Sequence, residues 1–440
     1  MKPVYFMRMA IAAIALIYAT VAEAQMVGSD VFLQGRYVEV GIGNLGYFGS
    51  GGVPPTGYHG HCTGCFPANS MGFVADPGMD GWAVGTPPMM GDYFVPGSPF
   101  EGWEIQVGSK RCQAYNNGPT STFAYSGGMG TCTGSNISYS TSGGVTVGVW
   151  EGIIDSIRLT QITTIDTNSL YFTVKIILTN LASAPKDSIY YIRSLDPDND
   201  ETWPGGGFIT DNLVEFQSTD TTVVSATGQS ASTPYLGLGT TDTGATALIY
   251  NSWPISVTAD LAAGYGGSTT FGGTSFYSTG THHVADIAIG LIMNVPHLAS
   301  VDSAGDSVYR TAATHMLHPA NSASFTYFYA FSLAGRDSAI AHLSQIPVPP
   351  STLNVINVNE KSEVKVFPNP SRDQINVTGL VATDRIALYD MMGRSADQTW
   401  TVAHDGMNTF RYNNVPAGSY VVVVTDASGN IKSRVPVRKN

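Results

Sequence analysis

Leu170-Tyr171-Phe172-Thr173-Val174-Lys175-Ile176-Ile177-Leu178-Thr179 is the stretch that decides the fold class. Leu170, Phe172, Val174, Ile176 and Leu178 take every second position, against Tyr171, Thr173, Lys175 and Thr179. A period of two sends one set to one face of a strand and the other set to the opposite face, whereas a helix would spread both around its circumference. The stretch is therefore an amphipathic strand with one face in a core, and Ile189 to Arg193 is the partner expected to pair with it.

The same period recurs on either side. Val31 and Leu33, then Val38, Val40 and Ile42, alternate with Arg36 and Glu39, and Gly41, Gly43 and Gly46 punctuate the exit. Ile287 to Met293 is almost unbroken in its apolar character, and Phe325 to Phe331 sets Phe325, Tyr327, Tyr329 and Phe331 against Thr326, Phe328 and Ala330. Runs of that kind predict strands buried on both faces. No stretch carries a clear helical period. With 49 Gly, 22 Tyr and 18 Phe but only 12% charged residues in 440, the composition also favours strands and turns. The expectation is all-β, with a large antiparallel β-sandwich over residues 25–346. Long Gly/Ser/Thr-rich loops are expected at 43–70, 113–146 and 258–282, with a possible internal boundary near 145–150.

The ends of the chain read differently. Lys2 and Arg8 precede an apolar run from Met9 to Val21 that ends in Ala22-Glu23-Ala24. A charged start, a short apolar segment and an Ala-x-Ala site predict a signal peptide over residues 1–24, with no retained transmembrane segment. Ile346-Pro347-Val348-Pro349-Pro350 begins a Pro-rich linker over 347–362, because fixed φ angles and missing amide donors favour an extended spacer. A net charge of −12 argues against a nucleic-acid partner, which needs clustered Lys and Arg.

Residues 363–440 form a second module. Ile431, Ser433, Val435 and Val437 alternate with Lys432, Arg434, Pro436 and Arg438, a strand with one basic, wet face. Gly393 and Gly418 stand where hairpins must reverse, which predicts a small immunoglobulin-like β-sandwich. Val366-Phe367-Pro368-Asn369-Pro370, then Leu388-Tyr389-Asp390 with Gly393-Arg394, then Pro416-Ala417-Gly418-Ser419-Tyr420 and the basic last strand follow in that order. This series resembles the type A C-terminal sorting domain of the type IX secretion system of Bacteroidetes. The resemblance implies that Pro368, Asn369, Pro370, Tyr389, Asp390, Gly393, Arg394, Gly418 and Tyr420 carry the sorting signal. It also implies the type IX machinery as partner, passage through the periplasm, cleavage of the tail, and either attachment to surface lipopolysaccharide or release. Within the large region, Tyr37-Val38-Glu39-Val40-Gly41-Ile42, Gly91-Asp92-Tyr93-Phe94 and Asp196-Pro197-Asp198-Asn199-Asp200 fit a segment similar to that of exported Bacteroidetes surface proteins. That similarity brings no activity with it.

Cys62, Cys65, Cys112 and Cys132 are an even set, which in an oxidising compartment favours disulfides; Cys62–Cys65 and Cys112–Cys132 would each close one local Gly-rich loop. His59, His61, Cys62 and Cys65 could instead hold Zn²⁺. Asp196, Asp198, Asp200 and Glu201 follow a predicted strand in a turn favoured by Pro197 and Asn199, and hard oxygen ligands of this kind suit Ca²⁺. A second acidic turn, Asp76 to Gly81, is a candidate source of further ligands. An acidic turn whose carboxylates bond their own backbone amides would look the same.

No Gly-x-Ser-x-Gly, His-Glu-x-x-His or phosphate-loop motif occurs. Glu39, Glu101, Glu104, Glu151 and Glu215 are the carboxylates from which a hydrolytic pair would come; solvated strand faces and loop hydrogen bonds are the role expected for them. His282 and His283, with His297, His315 and His318, are scattered imidazoles. Trp82, Trp103, Trp150, Trp203 and Trp253 are either packing or sugar-stacking platforms. The expectation is an exported, non-enzymatic surface or secreted protein, adhesive or structural, with a glycan or cell-surface ligand. The alternatives are a secreted hydrolase of polysaccharide or protein and a carbohydrate-binding module.

Overall fold

A computed structural model of the chain describes residues 23–59, 70–82, 92–94, 101–116, 123–126, 132–201, 205–253, 256, 258–295, 300–301, 307–308, 316–317, 319, 321–345, 364–380, 384–390, 396, 399–402, 408–411, 415–425 and 431–440. The expected signal peptide through residue 22, the linker, Cys62, Cys65, Gly393 and Arg394 lie outside them. The chain divides into a large compact unit, residues 1–300 with 309–350, and a small one, 301–308 with 351–440.

The large unit is all-β and antiparallel. Its nine-stranded sheet runs His282–Ala285, Thr210–Gln217, Thr222–Gly228, Tyr235–Thr240, Ser322–Ala330, Tyr171–Asn180, Ile157–Asp166, Val145–Ile154 and Cys132–Ser142. A seven-stranded sheet runs Ser275–Phe276, Ala245–Tyr250, Ala288–Asn294, Ile189–Leu195, Glu101–Val107, Lys110–Tyr115 and Phe123–Ser126. Glu23–Val27, Asp30–Gln34, Val38–Ile42 and Phe73–Ala75 make a third, four-stranded sheet. Strands from both sides of residues 145–150 therefore share the same sheets.

Alternation of side chains explains the core. Phe172, Val174, Ile176 and Leu178 are buried while Tyr171, Thr173 and Lys175 are half-buried, the expected period of two. They meet Trp103, Ile105, Tyr191, Ile289 and Leu291 from the seven-stranded sheet in one core, which Val31, Leu33, Val40 and Phe73 of the third sheet join. The expected double burial also holds. Phe325, Tyr327 and Tyr329 face that core, while Phe328 and Ala330 meet Ala339 and Leu343 of a helix on the other face. Ile289 and Leu291 likewise face it, while Ile292 packs against Leu248, Leu261 and Phe271.

Three expectations need correction. Ile189–Leu195 pairs with Glu101–Val107 and Ala288–Asn294, and Tyr171–Asn180 pairs with Ile157–Asp166 and Ser322–Ala330, so these two strands lie in different sheets. Much of 113–146 is strand: Cys132–Ser142 pairs along its length with Val145–Ile154, and its Ser/Thr/Gly content reflects an exposed edge. Leu333–Gln345 is a helix, and only Ala339, Ile340 and Leu343 turn inward from it, too thin a stripe to stand out in sequence. Ser332 Oγ accepts from the Gly335 amide at 2.9 Å and caps its start.

Between the two large sheets lies a buried ion pair. Arg193 donates from Nε and Nη2 to Glu101, the latter at 2.8 Å, and both side chains are essentially without solvent. The remaining capacity is met from every side. Glu101 accepts from the Phe48 amide at 2.7 Å and the Tyr329 hydroxyl at 2.9 Å, and Arg193 Nη1 reaches Gln161 Oε1 at 3.1 Å and the Gly46 carbonyl at 3.2 Å. Trp103 and Trp150 donate their ring N–H groups to the carbonyls of Leu45 and Asn44, both at 3.0 Å. Gly46 has φ of +80°, and a Cβ there would press on the Trp150 ring at 2.8 Å, so only glycine fits.

Cys112 and Cys132 form a disulfide with a Cα–Cα distance of 6.2 Å, linking the Lys110–Tyr115 strand of one sheet to the first residue of the Cys132–Ser142 strand of the other. The small unit has two sheets, Lys365–Phe367, Gln374–Thr378, Asn408–Arg411 and Thr399–Val402 in one, and Arg385–Asp390, Gly418–Thr425 and Ile431–Lys439 in the other. Ile375 and Val377 from the first meet Leu388, Val422 and Val424 from the second in a core of their own, a small β-sandwich.

Two stability measurements follow. Arg193→Met strands the Glu101 carboxylate in the core and is expected to cost about 3–5 kcal/mol in guanidinium titrations, whereas Arg193→Met with Glu101→Leu recovers most of it. Equal losses in the single and double variants would show that the pair is not what the core is built around. Replacing Cys112 and Cys132 together by Ala opens a loop of sequence separation 20 and is expected to cost about 3 kcal/mol, read as a lowered midpoint that matches the reduced wild-type chain.

Candidate functional site

The acidic turn begins where Leu195 leaves the core. The Asp198 amide donates to the Tyr93 carbonyl at 3.0 Å, and the Asn199 side-chain amide donates to the carbonyls of Ala226 at 2.7 Å and Pro234 at 3.1 Å. These bonds fix the backbone and divide the acids. Asp200 accepts from the amides of Ser230 at 2.5 Å and Gly207 at 3.4 Å, so its carboxylate is spent on the protein's own backbone. Asp196 and Asp198 instead converge with Asp286, which lies between the His282–Ala285 and Ala288–Asn294 strands, and one oxygen from each lies within 4.8 Å of the others. Among the described residues, Asp196 Oδ1 and Asp198 Oδ1 are buried without a hydrogen-bond partner.

The electrostatics are those of crowded, dehydrated carboxylates. Burial, then the charge of Asp286, pushes Asp196 up to about 7. Burial, then Asp196, Asp286, Glu201 and Asp200, pushes Asp198 up to about 9. Sequence proximity pointed to Asp196 and Asp198 but had no signal for Asp286, which topology alone brings in. Glu201 is close enough to act on Asp198 but is outside the three converging carboxylates. The second acidic turn contributes no ligand to them. Asp76 accepts from the amides of Asp80, Gly81 and Trp82 at 2.9–3.3 Å, a turn that satisfies itself.

A groove of about 550 Å³ opens where Thr210–Gln217, Thr222–Gly228 and Tyr235–Thr240 meet the start of the Leu333–Gln345 helix. Asp211, Glu215, Thr227, Tyr235, His282 and Phe331 are among its lining. Glu215 accepts from Ser225 Oγ at 2.6 Å, the Tyr235 hydroxyl at 3.0 Å and Arg336 Nη1 at 2.7 Å. Burial, then the Glu215 charge, raises the Tyr235 phenol, which therefore stays a hydrogen-bond donor. At the rim His282 Nδ1 lies 3.1 Å from Asp211 Oδ1.

The other candidates have structural partners. Glu39 takes His59 Nδ1 at 2.7 Å and Gln34 Nε2 at 2.8 Å, and the His59 ring stacks on Trp82 at 4.4 Å. Glu101 and Glu104 are three residues apart on one strand and so point to opposite faces. Glu151 lies 3.7 Å from Arg158 Nε. Trp103 and Trp150 are fully buried, Trp82 nearly so, and Trp253 packs edge-on to Tyr115 at 4.9 Å. His283 stacks on Phe276 at 4.7 Å. His61, Trp203, His297, His315 and His318 lie outside the described residues.

In the small unit strand pairing sets two of the expected sorting residues side by side. Asp390 is opposite Tyr420, and Tyr389 is opposite Val421. The Tyr420 hydroxyl donates to the Pro416 carbonyl at 2.8 Å. Asn369 Oδ1 accepts from the Arg438 amide at 2.9 Å, and the Ser371 amide donates to the Arg438 carbonyl at 2.9 Å, fastening the Pro368-Asn369-Pro370 corner to the last strand.

Residues 365–438 match the family described as secretion system C-terminal sorting domain. The tail is a type IX sorting domain, and the protein is exported to the cell surface or extracellular space and engages the type IX secretion machinery. It is thus an exported all-β protein of Bacteroidetes whose C-terminal module belongs to the sorting-domain family. No curated protein matches the chain. A solved structure titled polysaccharide lyase is similar at a TM-score of 0.28 and 11% identity, over 95% of this chain and 46% of that one, so the chain spans less than half of its length. Among the described residues no helix is long and apolar enough to cross a membrane.

Glu104 provides a pH test of the carboxylate assignments. Both its oxygens are buried without a partner among the described residues, and burial raises its pKa well above the ordinary value, with Arg111 only partly countering. The folded state therefore keeps the proton after the unfolded chain has lost it. The stabilisation is complete below about pH 4 and is lost as pH rises. Glu104→Gln is expected to remove that decline, so the variant gains on wild type between pH 5 and pH 8 in thermal melts; a parallel pH dependence of the two proteins would place the charge elsewhere.

Proposed function

We propose that the protein acts after export as a non-enzymatic adhesive or structural component, and that it holds a polar, hydroxyl-rich ligand such as a glycan in the groove on the nine-stranded sheet. The observation that carries this reading is the state of Glu215. A hydrolase of the two-carboxylate kind needs one free acid and one free base facing each other across the substrate. Glu215 is engaged by Ser225, Tyr235 and Arg336, and Asp211 is paired with His282. Such a wall presents fixed donors and acceptors, the means by which a pocket orients a polar ligand. Surface attachment through lipopolysaccharide, or release, follows from the sorting tail as part of the same proposal.

Incubating the mature chain with a glycan array, chromogenic glycosides and casein tests it. Saturable glycan binding without turnover is expected, weakened about tenfold or more by Asp211→Ala or His282→Ala, a loss of about 1.4 kcal/mol or more. An array with no binding would remove the adhesive reading. Turnover abolished by His282→Ala would instead make the Asp211–His282 pair the seat of hydrolysis.

A further inference from the structure

We infer that Asp196, Asp198 and Asp286 form a site for a hard divalent cation, calcium, that locks the crossover between the two large sheets; this is independent of what the groove binds. Three observations converge on it. First, oxygens bound to one Ca²⁺ at about 2.3–2.6 Å can be no farther apart than about 5 Å, and one oxygen from each of the three residues meets that limit at 4.8 Å. Second, Asp198 is only 2% exposed and its Oδ1 has no hydrogen-bond partner among the described residues, as is true of the buried Asp196 Oδ1. An unpaired buried carboxylate is costly, and in folded proteins such groups are met by hydrogen bonds, counter-charges or metals. Third, the donor set is oxygen alone, without imidazole or thiolate, which favours calcium over zinc or copper.

The position gives the ion a mechanical role. Leu195 and Ile289 pair across adjacent strands of the seven-stranded sheet, and Asp196 and Asp286 extend from the ends of those strands. Asp286 also follows His282–Ala285, which belongs to the nine-stranded sheet, so the segment carrying it is where the chain passes from one sheet to the other. A cation held by both segments ties that passage to the turn whose Asn199 and Asp200 already grip the Thr222–Gly228 strand and its exit. Outside the cell, where calcium is millimolar, even an affinity in the range of about 0.1–1 mM suffices for occupancy.

The test uses the mature chain, prepared in EDTA and desalted. Calorimetric titration with CaCl₂ is expected to give one saturable site, and calcium is expected to raise the melting temperature as binding to the folded state alone requires. Asp286→Asn, at an exposed position that leaves the fold intact, is expected to weaken calcium binding about tenfold or more. Asp198→Asn should abolish it while melting in EDTA no lower than wild type, because it removes a crowded buried acid. Asp200→Asn should bind as wild type does. No calcium heat and no shift in wild type, a zinc response in place of a calcium one, or unchanged binding by Asp286→Asn would each overturn the assignment.

Discussion

The Arg193–Glu101 pair is the constraint to which the large unit is built. Two opposite charges with 1% and 0% side-chain exposure cannot be left to packing alone, since several kcal/mol of lost hydration per ion must be offset by geometry and by further hydrogen bonds. The partners that meet this demand come from separate places: Gln161 and Tyr329 from the nine-stranded sheet, Gly46 and Phe48 from the segment leaving the four-stranded one. Phe48 adds its ring face at 4.3 Å from the guanidinium carbon. The net gain from the pair is thus small, while removing one partner alone leaves a buried charge uncompensated. A slip of one residue in either central strand would turn Arg193 or Tyr329 to the wrong face.

This explains what could be read from sequence and what could not. Alternation is a local consequence of burial, so Tyr171–Asn180 and the doubly covered Ser322–Ala330 were legible. Pairing depends on partners far along the chain, and Ile189–Leu195 looked like a neighbour of Tyr171–Asn180 because the two follow each other. Its neighbours in the sheet are Glu101–Val107 and Ala288–Asn294, and the first pairing sets Glu101 beside Arg193, with Gln161 facing them from the other sheet. The Leu333–Gln345 helix was hidden for a different reason. Its apolar contact with the sheet is only Ala339, Ile340 and Leu343, and Gly335 must be small because its Cβ would lie 2.6 Å from the Leu170 carbonyl.

The candidate cation site shows the same division on a smaller scale. A turn with acids at every second position is visible in any sequence, and Asp196 and Asp198 of this one converge. Which acids remain available depends on nearby amides. Asp200 is captured by Ser230 and Gly207, as Asp76 is by its own turn, and neither outcome has a mark in the residue pattern. Asp286 enters only because Ala288–Asn294 lies beside Ile189–Leu195 in the sheet. Topology, rather than motif, completes the set.

The tail follows a separate physical logic. Ile375, Val377, Leu388, Val422 and Val424 form a core of the small unit's own. The motif residues are not a linear tag, since Asp390 faces Tyr420 across one strand pair while Asn369 holds the amide of Arg438 in the last strand. A change in the basic last strand reaches the Pro368-Asn369-Pro370 corner through two hydrogen bonds to Arg438. The groove and the acidic turn lie in the large unit and the sorting domain in the small one, so a change in the chemistry of either of the first two leaves the residues of the export module untouched.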